Sequence, residues 1–215
     1  MSPDPATLRP NAFIDSDHPA VLAFANEHAG GLPPKEAAIQ LFYVVRERLR
    51  YNPWRVRYTP ADYTSSSVAL RDPAEGGHCI DKALLLAGAC RALGIASRLH
   101  FMDVRNHIGT ARLEEKLGTD LLVYHGFAEL WLGGRWVAAT PAFNLGLCQK
   151  LGVAPLEFDG EHDAVFQEYD HQAGRFMERV TDHGSFADVP FDAMIAAWKL
   201  HYSAHATRET WPTPD

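Results

Sequence analysis

GGHCIDKALLLAGACRALGIASR, residues 76–98, decides the fold. Gly76 and Gly77 interrupt the chain, and Ile80 to Leu93 follows as an Ala/Leu-rich run with high helix propensity. Gly94 closes that run, as a glycine past the last helical residue does. Cys79 therefore stands where glycines stop and a helix begins. Free backbone N–H groups and the positive end of the helix dipole favour a thiolate there over a thiol. The same N–H groups suit an oxyanion on an attacked carbonyl, and the glycines leave room for a close backbone approach. Cys90 comes about three turns later on nearly the same face, roughly 16 Å along the axis, so a disulfide with Cys79 is excluded while both stay helical. Cys90 reads as a small buried residue.

Outward from this helix, Ile95 to Val104 and Leu121 to Leu132 read as strands. Gly133-Gly134 is a two-residue hairpin signal leading into a third strand, Arg135 to Thr140. The turn sets a register of Leu132 with Arg135 and Trp131 with Trp136. Counting back, Glu129 faces Ala138, Phe127 faces Thr140 and His125 faces Ala142. Alternation then puts His125, Phe127, Glu129, Ala138 and Thr140 on one face, with Thr140 a diagonal neighbour of His125. A helix with a cysteine at its start, packed on a sheet presenting an imidazole and its orienting group, supplies the parts of a cysteine triad.

Upstream, the residues to about Pro19 read as an extended arm over the surface. A short helical pattern runs from Ala20 to His28, and a stronger one from Lys35 to Leu49 with Ala38, Leu41, Phe42, Val45 and Leu49 in one apolar stripe. Tyr51 to Ser67 reads as a long loop whose aromatics, Tyr51, Trp54, Tyr58 and Tyr63, either line a cleft or pack the loop down. Downstream, Ala164 to Asp170 and Arg175 to Thr181 suggest a second hairpin around His171 to Gly174. Phe191 to Tyr202 is an amphipathic helix, and the tail after Ala206 has no pattern.

The order GxC at a helix start, an Ala/Leu helix ending in RALGI, a strand opening at Arg98, then H-x3-E and a G-x-W segment closing on Pro141 resembles the transglutaminase-like superfamily. That group includes transglutaminases, peptide N-glycanases and many bacterial cysteine peptidases. The resemblance implies an α+β, papain-like/transglutaminase-like core with the nucleophile helix packed on an antiparallel sheet. It implies Cys79 as nucleophile, His125 as general base and Trp136 as the tryptophan preceding the third triad position. The family usually carries an aspartate four residues after that tryptophan, where this chain has Thr140. Thr140 offers a hydroxyl and Asn144 an amide carbonyl to hold the imidazole, and neither brings charge. The implied reaction is acyl transfer or hydrolysis at an amide, peptide or ester carbonyl through an acyl-thioester. The alternative is an inactive member that keeps the fold for binding. Trp54, His78, Asn106, His107 and Trp136 are the further cleft candidates. His78 is either a cation aiding the thiolate or a solvated loop residue.

The remaining sequence narrows the class. The 215 residues are 47% hydrophobic and 22% charged, with a formal charge of -7, the balance of one globular domain spanning 1–215. Within it, 76–141 is the motif core, 19–50 a helical region and 142–215 a C-terminal extension. The acidic balance argues against nucleic-acid binding. No run of about 18 apolar residues is present to span a membrane. The N-terminus lacks a signal-peptide pattern, and three cysteines, an odd number with no paired spacing, point to a reducing cytoplasm. Among Cys79, His78, Cys90, His125 and His107 no CxxC or HxxxH spacing marks a metal, and no glycine-rich phosphate motif marks a cofactor, so neither is expected. The expected partner is a peptide or small amide or ester; nothing marks an oligomeric state.

Overall fold

The computed structural model describes residues 2–106, 115, 117–166 and 177–202. Helices α1 (Pro19–Ala29), α2 (Pro34–Arg48), α3 (Ser65–Ala69) and α4 (Cys79–Ala92) come first. Strands β1 (Ser97–Asn106), β2 (Leu121–Leu132) and β3 (Arg135–Ala139) follow, then α5 (Leu145–Leu151), β4 (Met177–Phe186) and α6 (Phe191–His201). The sheet has the order β3-β2-β1-β4 with every neighbouring pair antiparallel. This is the α+β architecture that the helix and hairpin signals imply.

Helix α4 is the centre. Every residue from Ile80 to Arg91 is buried, because α1, α2 and α3 cover one side and β1 and β2 the other. Small residues permit that crowding: a Cβ on Gly88 would sit 2.4 Å from Ser65 Oγ of α3. The helix starts on a reciprocal cap. His78 Nδ1 accepts from the Ile80 N–H at 3.2 Å, and the His78 N–H donates to Asp81 Oδ2 at 2.9 Å, satisfying two donors that a helix start otherwise leaves bare.

The hairpin register is the expected one, from Leu132–Arg135 to Ala128–Ala139. Other segments differ. The 51–67 stretch contains a 3-10 turn at Pro60–Tyr63 and the start of α3. The N-terminal arm is partly built into the core: Ile14 is fully buried, and Asp188 accepts from the Phe13 and Ile14 N–H groups. The turn of the expected second hairpin, His171 to Gly174, lies outside the described residues. Ala164 bridges to Ala139 beside β3, whereas β4 pairs with β1 at the opposite edge. The described ends, Ala164 and β4, thus serve different edges of the sheet, a choice local patterning does not encode.

Candidate active site

Cys79 and His125 line one cavity of about 70 Å³, walled by Tyr51, Ile80, Val123 and Trp198 among others. Three elements build it. Helix α4 supplies Cys79 at its first turn, β2 supplies His125, and α6 closes the side. Gly126 is what lets the helix come close: a Cβ there would lie 3.1 Å from Ile80 Cγ1 and 3.0 Å from the Phe101 ring. The α6 wall is tied to β2 by side chains. Trp198 Nε1–H donates to the Val123 carbonyl at 2.9 Å, and Tyr202 Oη accepts from the Val123 N–H at 2.7 Å.

Cys79 is half-buried, and Cys90 and Cys148 are buried. Burial pushes the Cys79 thiol up to about 11, although the N–H groups of Gly126 and Ile80 pull the other way. His125 is 4% exposed; burial, with a smaller contribution from His78, lowers its imidazole to about 4. The pair at rest near neutral pH is thus a thiol and a neutral imidazole. The expectation of a preformed thiolate from helix position is overturned, because desolvation of the anion outweighs the partial charges at the helix start.

His78 is neither a solvated loop residue nor a cation. It is 4% exposed, and burial lowers its imidazole below the usual value. Its Nδ1 accepts a backbone hydrogen, so its proton resides on Nε2, 3.3 Å from Tyr63 Oη and 3.6 Å from Asp81 Oδ2. Asp81 is itself fully buried against Arg71 at 3.0 Å. The H-x-x-D spacing at 78–81 was a readable capping signal for this arrangement.

Thr140 is 5% exposed, one residue beyond β3. One further step of the register places it opposite Phe127 and diagonal to His125. Thr140 Oγ1 and His125 Nε2 are both buried, and neither has a hydrogen-bond partner among the described residues. Asn144 is differently employed. It is the residue before α5, its Oδ1 accepts from the Tyr51 N–H at 3.2 Å, and it borders a separate hollow with Arg50 and Lys150.

Of the cleft candidates, His78 lines the cavity and Trp54 does not. Tyr51 lines it and meets Phe143 edge-on at 4.7 Å, while Tyr63 is buried in the core. Trp136 is outside it, edge-on to Trp131 at 5.3 Å and under the Arg98 guanidinium at 4.2 Å. Distance along the strand explains this: Trp136 has the parity of Thr140 but pairs with Trp131 near the turn end of the hairpin, away from His125. Asn106 ends β1; its side chain and all of His107 lie outside the described residues.

One structural residue escaped the sequence reading. Lys82 is fully buried, and its ammonium donates to the carbonyls of Arg46 (2.8 Å), Leu49 (2.9 Å) and Ala142 (2.7 Å). It joins the end of α2 to the segment carrying Thr140 and Asn144. A lysine inside an otherwise apolar helix was the signal. Among the described residues no cluster of His, Cys, Asp and Glu could hold a metal, and no helix is long and apolar enough to cross a membrane.

No curated protein matches the chain. Among solved structures, a chain described as a putative cysteine protease from Cytophaga hutchinsonii matches with a TM-score of 0.52 at 16% identity. The match covers 87% of this chain and 48% of that one, so this chain spans about half the length of its structural neighbour. At that identity the likeness is one of fold. The family model described as the transglutaminase-like superfamily matches residues 22–141, from α1 through the hairpin. With more than half its length so matched, the chain belongs to the transglutaminase-like superfamily.

Proposed function

We propose that this protein is a cysteine-dependent acyl-transfer enzyme in which Cys79 is the nucleophile and His125 the general base. The observation that carries the reading is the single cavity holding the helix-start cysteine and the strand histidine between apolar walls. Cys79 Sγ attacks the carbonyl carbon as its proton passes to His125, and the S–C bond forms. The backbone N–H of Cys79 stabilises the oxyanion. Collapse breaks the bond to the leaving amine or alcohol, which takes the proton from His125. Water, deprotonated by the same imidazole, then hydrolyses the thioester. The orphaned pair of His125 Nε2 and Thr140 Oγ1 fits a donor and acceptor that fix the ring, leaving Nδ1 for the reacting proton. Thr140 is therefore preferred over Asn144, whose oxygen is engaged elsewhere.

None of the described residues lining the cavity is Asp, Glu, Lys or Arg, and burial keeps both lining histidines neutral. A charged acyl group would lose its hydration there without a partner. The acyl donor is accordingly uncharged and apolar. A peptide amide agrees with the neighbour's description as a cysteine protease, and we favour hydrolysis over transamidation. One apolar cluster joins the described residues from Ile14 to Tyr202 into one unit. An odd count of three cysteines with no paired spacing suits a reducing cytoplasm.

A second reading draws on the raised thiol and on Thr140 in place of a carboxylate: an inactive module that binds the same ligands. p-Nitrophenyl butyrate and the p-nitrophenyl half-ester of glutaric acid separate the two. The enzyme acquires a butyryl group on Cys79, at least about tenfold faster than a glutaryl group. Equal rates would remove the apolar preference, and no adduct would favour the inactive module.

A further inference from the structure

The strand that carries His125 is irregular just before it. Met102 pairs with His125 and Val104 with Leu122, so Asp103 alone faces both Val123 and Tyr124. This is a β-bulge, which strips backbone groups of their ladder partners. Tyr124 takes φ 58, and among the described residues no other non-glycine residue has a positive φ. An ordinary side chain disfavours that conformation and persists in it only when its surroundings hold it there.

The holding groups are side chains from other elements. Asp103 Oδ1 of β1 accepts from the Tyr124 N–H at 2.9 Å. His183 Nε2 of β4 lies 2.7 Å from the same oxygen. The His183 ring also lies flat on the Tyr124 ring, with centroids 4.1 Å apart and 11° between planes. Tyr124 is thus held by its backbone and by its ring. Asp103 and His183 are not among the cavity-lining residues.

We propose that Asp103 and His183 are positioning residues: they hold Tyr124 in its left-handed bulge, and the bulge turns the next side chain, His125, into the cavity with Cys79. The inference rests on the proposed role of His125. Its physical content is local: the hairpin register already sets the face of His125, and the left-handed residue just before it sets how the chain enters that position and so the direction of the ring.

A double-mutant cycle between Asp103→Ala and Tyr124→Gly tests this, because glycine takes a positive φ without steric cost. Two readouts are followed: the rate of Cys79 acylation by p-nitrophenyl butyrate, and the NMR resonances of the His125 imidazole. Asp103→Ala alone should slow acylation about tenfold and shift those resonances. In the Tyr124→Gly background the same change should cost less than about twofold and leave the resonances of that background in place. Asp103→Asn keeps an oxygen for the Tyr124 N–H and should retain most of the rate. Should Asp103→Ala fail to fold, His183→Phe keeps the ring stack without the hydrogen bond to Asp103 and should shift the resonances in the same direction, less far. The proposal is overturned if the folded variants keep wild-type His125 resonances, or if Asp103→Ala costs the same in both backgrounds. Acylation that is indifferent to His125→Ala would defeat the functional reading instead, and the resonances would then decide the positioning role.

Discussion

At Cys79 two effects oppose each other, the helix-start N–H groups that favour its anion and the packed surroundings that disfavour it. Burial wins, with the thiol near 11 and the imidazole of His125 near 4. A nucleophile in that state depends on its base, and the base depends on what fixes its ring. Thr140→Val keeps the shape and removes the acceptor that suits His125 Nε2. One net hydrogen bond is worth about 1 kcal/mol, so acylation of Cys79 should slow about five- to tenfold. Asn144→Ala should slow it less, since Asn144 Oδ1 is bonded to the Tyr51 N–H. A larger loss in the asparagine variant would reverse the assignment. The candidate pair itself was legible from spacing: GxC before an Ala/Leu run, and a histidine at the matching parity of a hairpin. The protonation state was not, because it depends on what packs around the two groups from α6 and from 51–56.

Among the elements, α4 was the most legible, and its lysine the least. Lys82 lies in a helix whose other residues from Ile80 to Ala89 are apolar apart from Asp81, yet the partners it reaches come from two distant segments. Burial lowers its ammonium to about 7, while three carbonyls call for the three hydrogens that only the charged form has. Lys82→Met fills similar volume and leaves those carbonyls without a donor. At about 1–3 kcal/mol per unsatisfied buried group, partly relieved by water, a loss of about 3 kcal/mol is expected in urea unfolding. A loss below about 1 kcal/mol would mean the carbonyls find other donors. Helix α5 and the partner of β4 escaped the sequence reading for a related reason. A seven-residue helix has too few turns for a period, and β4 is assigned to β1 by its edge position, not by its own pattern.

For the whole molecule, the site's neutrality has a thermodynamic consequence. The imidazole of His125 binds its proton at about 4 in the folded chain, against an ordinary value of 6.5. Between those values the unfolded chain holds more protons, so stability is fully present above about pH 6.5 and is lost as pH falls toward 4. His78, also lowered by burial, acts in the same direction. The loss attributable to His125 is on the order of 3 kcal/mol at most. Urea unfolding at pH 7.5 and pH 5 should show it, and His125→Gln should flatten the dependence; an equally steep dependence in that variant would place the protons elsewhere.

The central claim, that Cys79 acts through His125, is met most directly by the pH profile of p-nitrophenyl butyrate acylation, followed by mass spectrometry of the Cys79 peptide. A thiol assisted by a neutral imidazole needs only that the imidazole be unprotonated. The rate should therefore rise near pH 4 and stay level to about pH 9, with Cys90 and Cys148 unmodified in the folded protein. In His125→Ala the plateau should vanish, leaving a rate at neutral pH about a hundredfold lower that climbs with each unit of pH. A wild-type profile that climbs in that same way, or equal rates in the two proteins, would contradict the account.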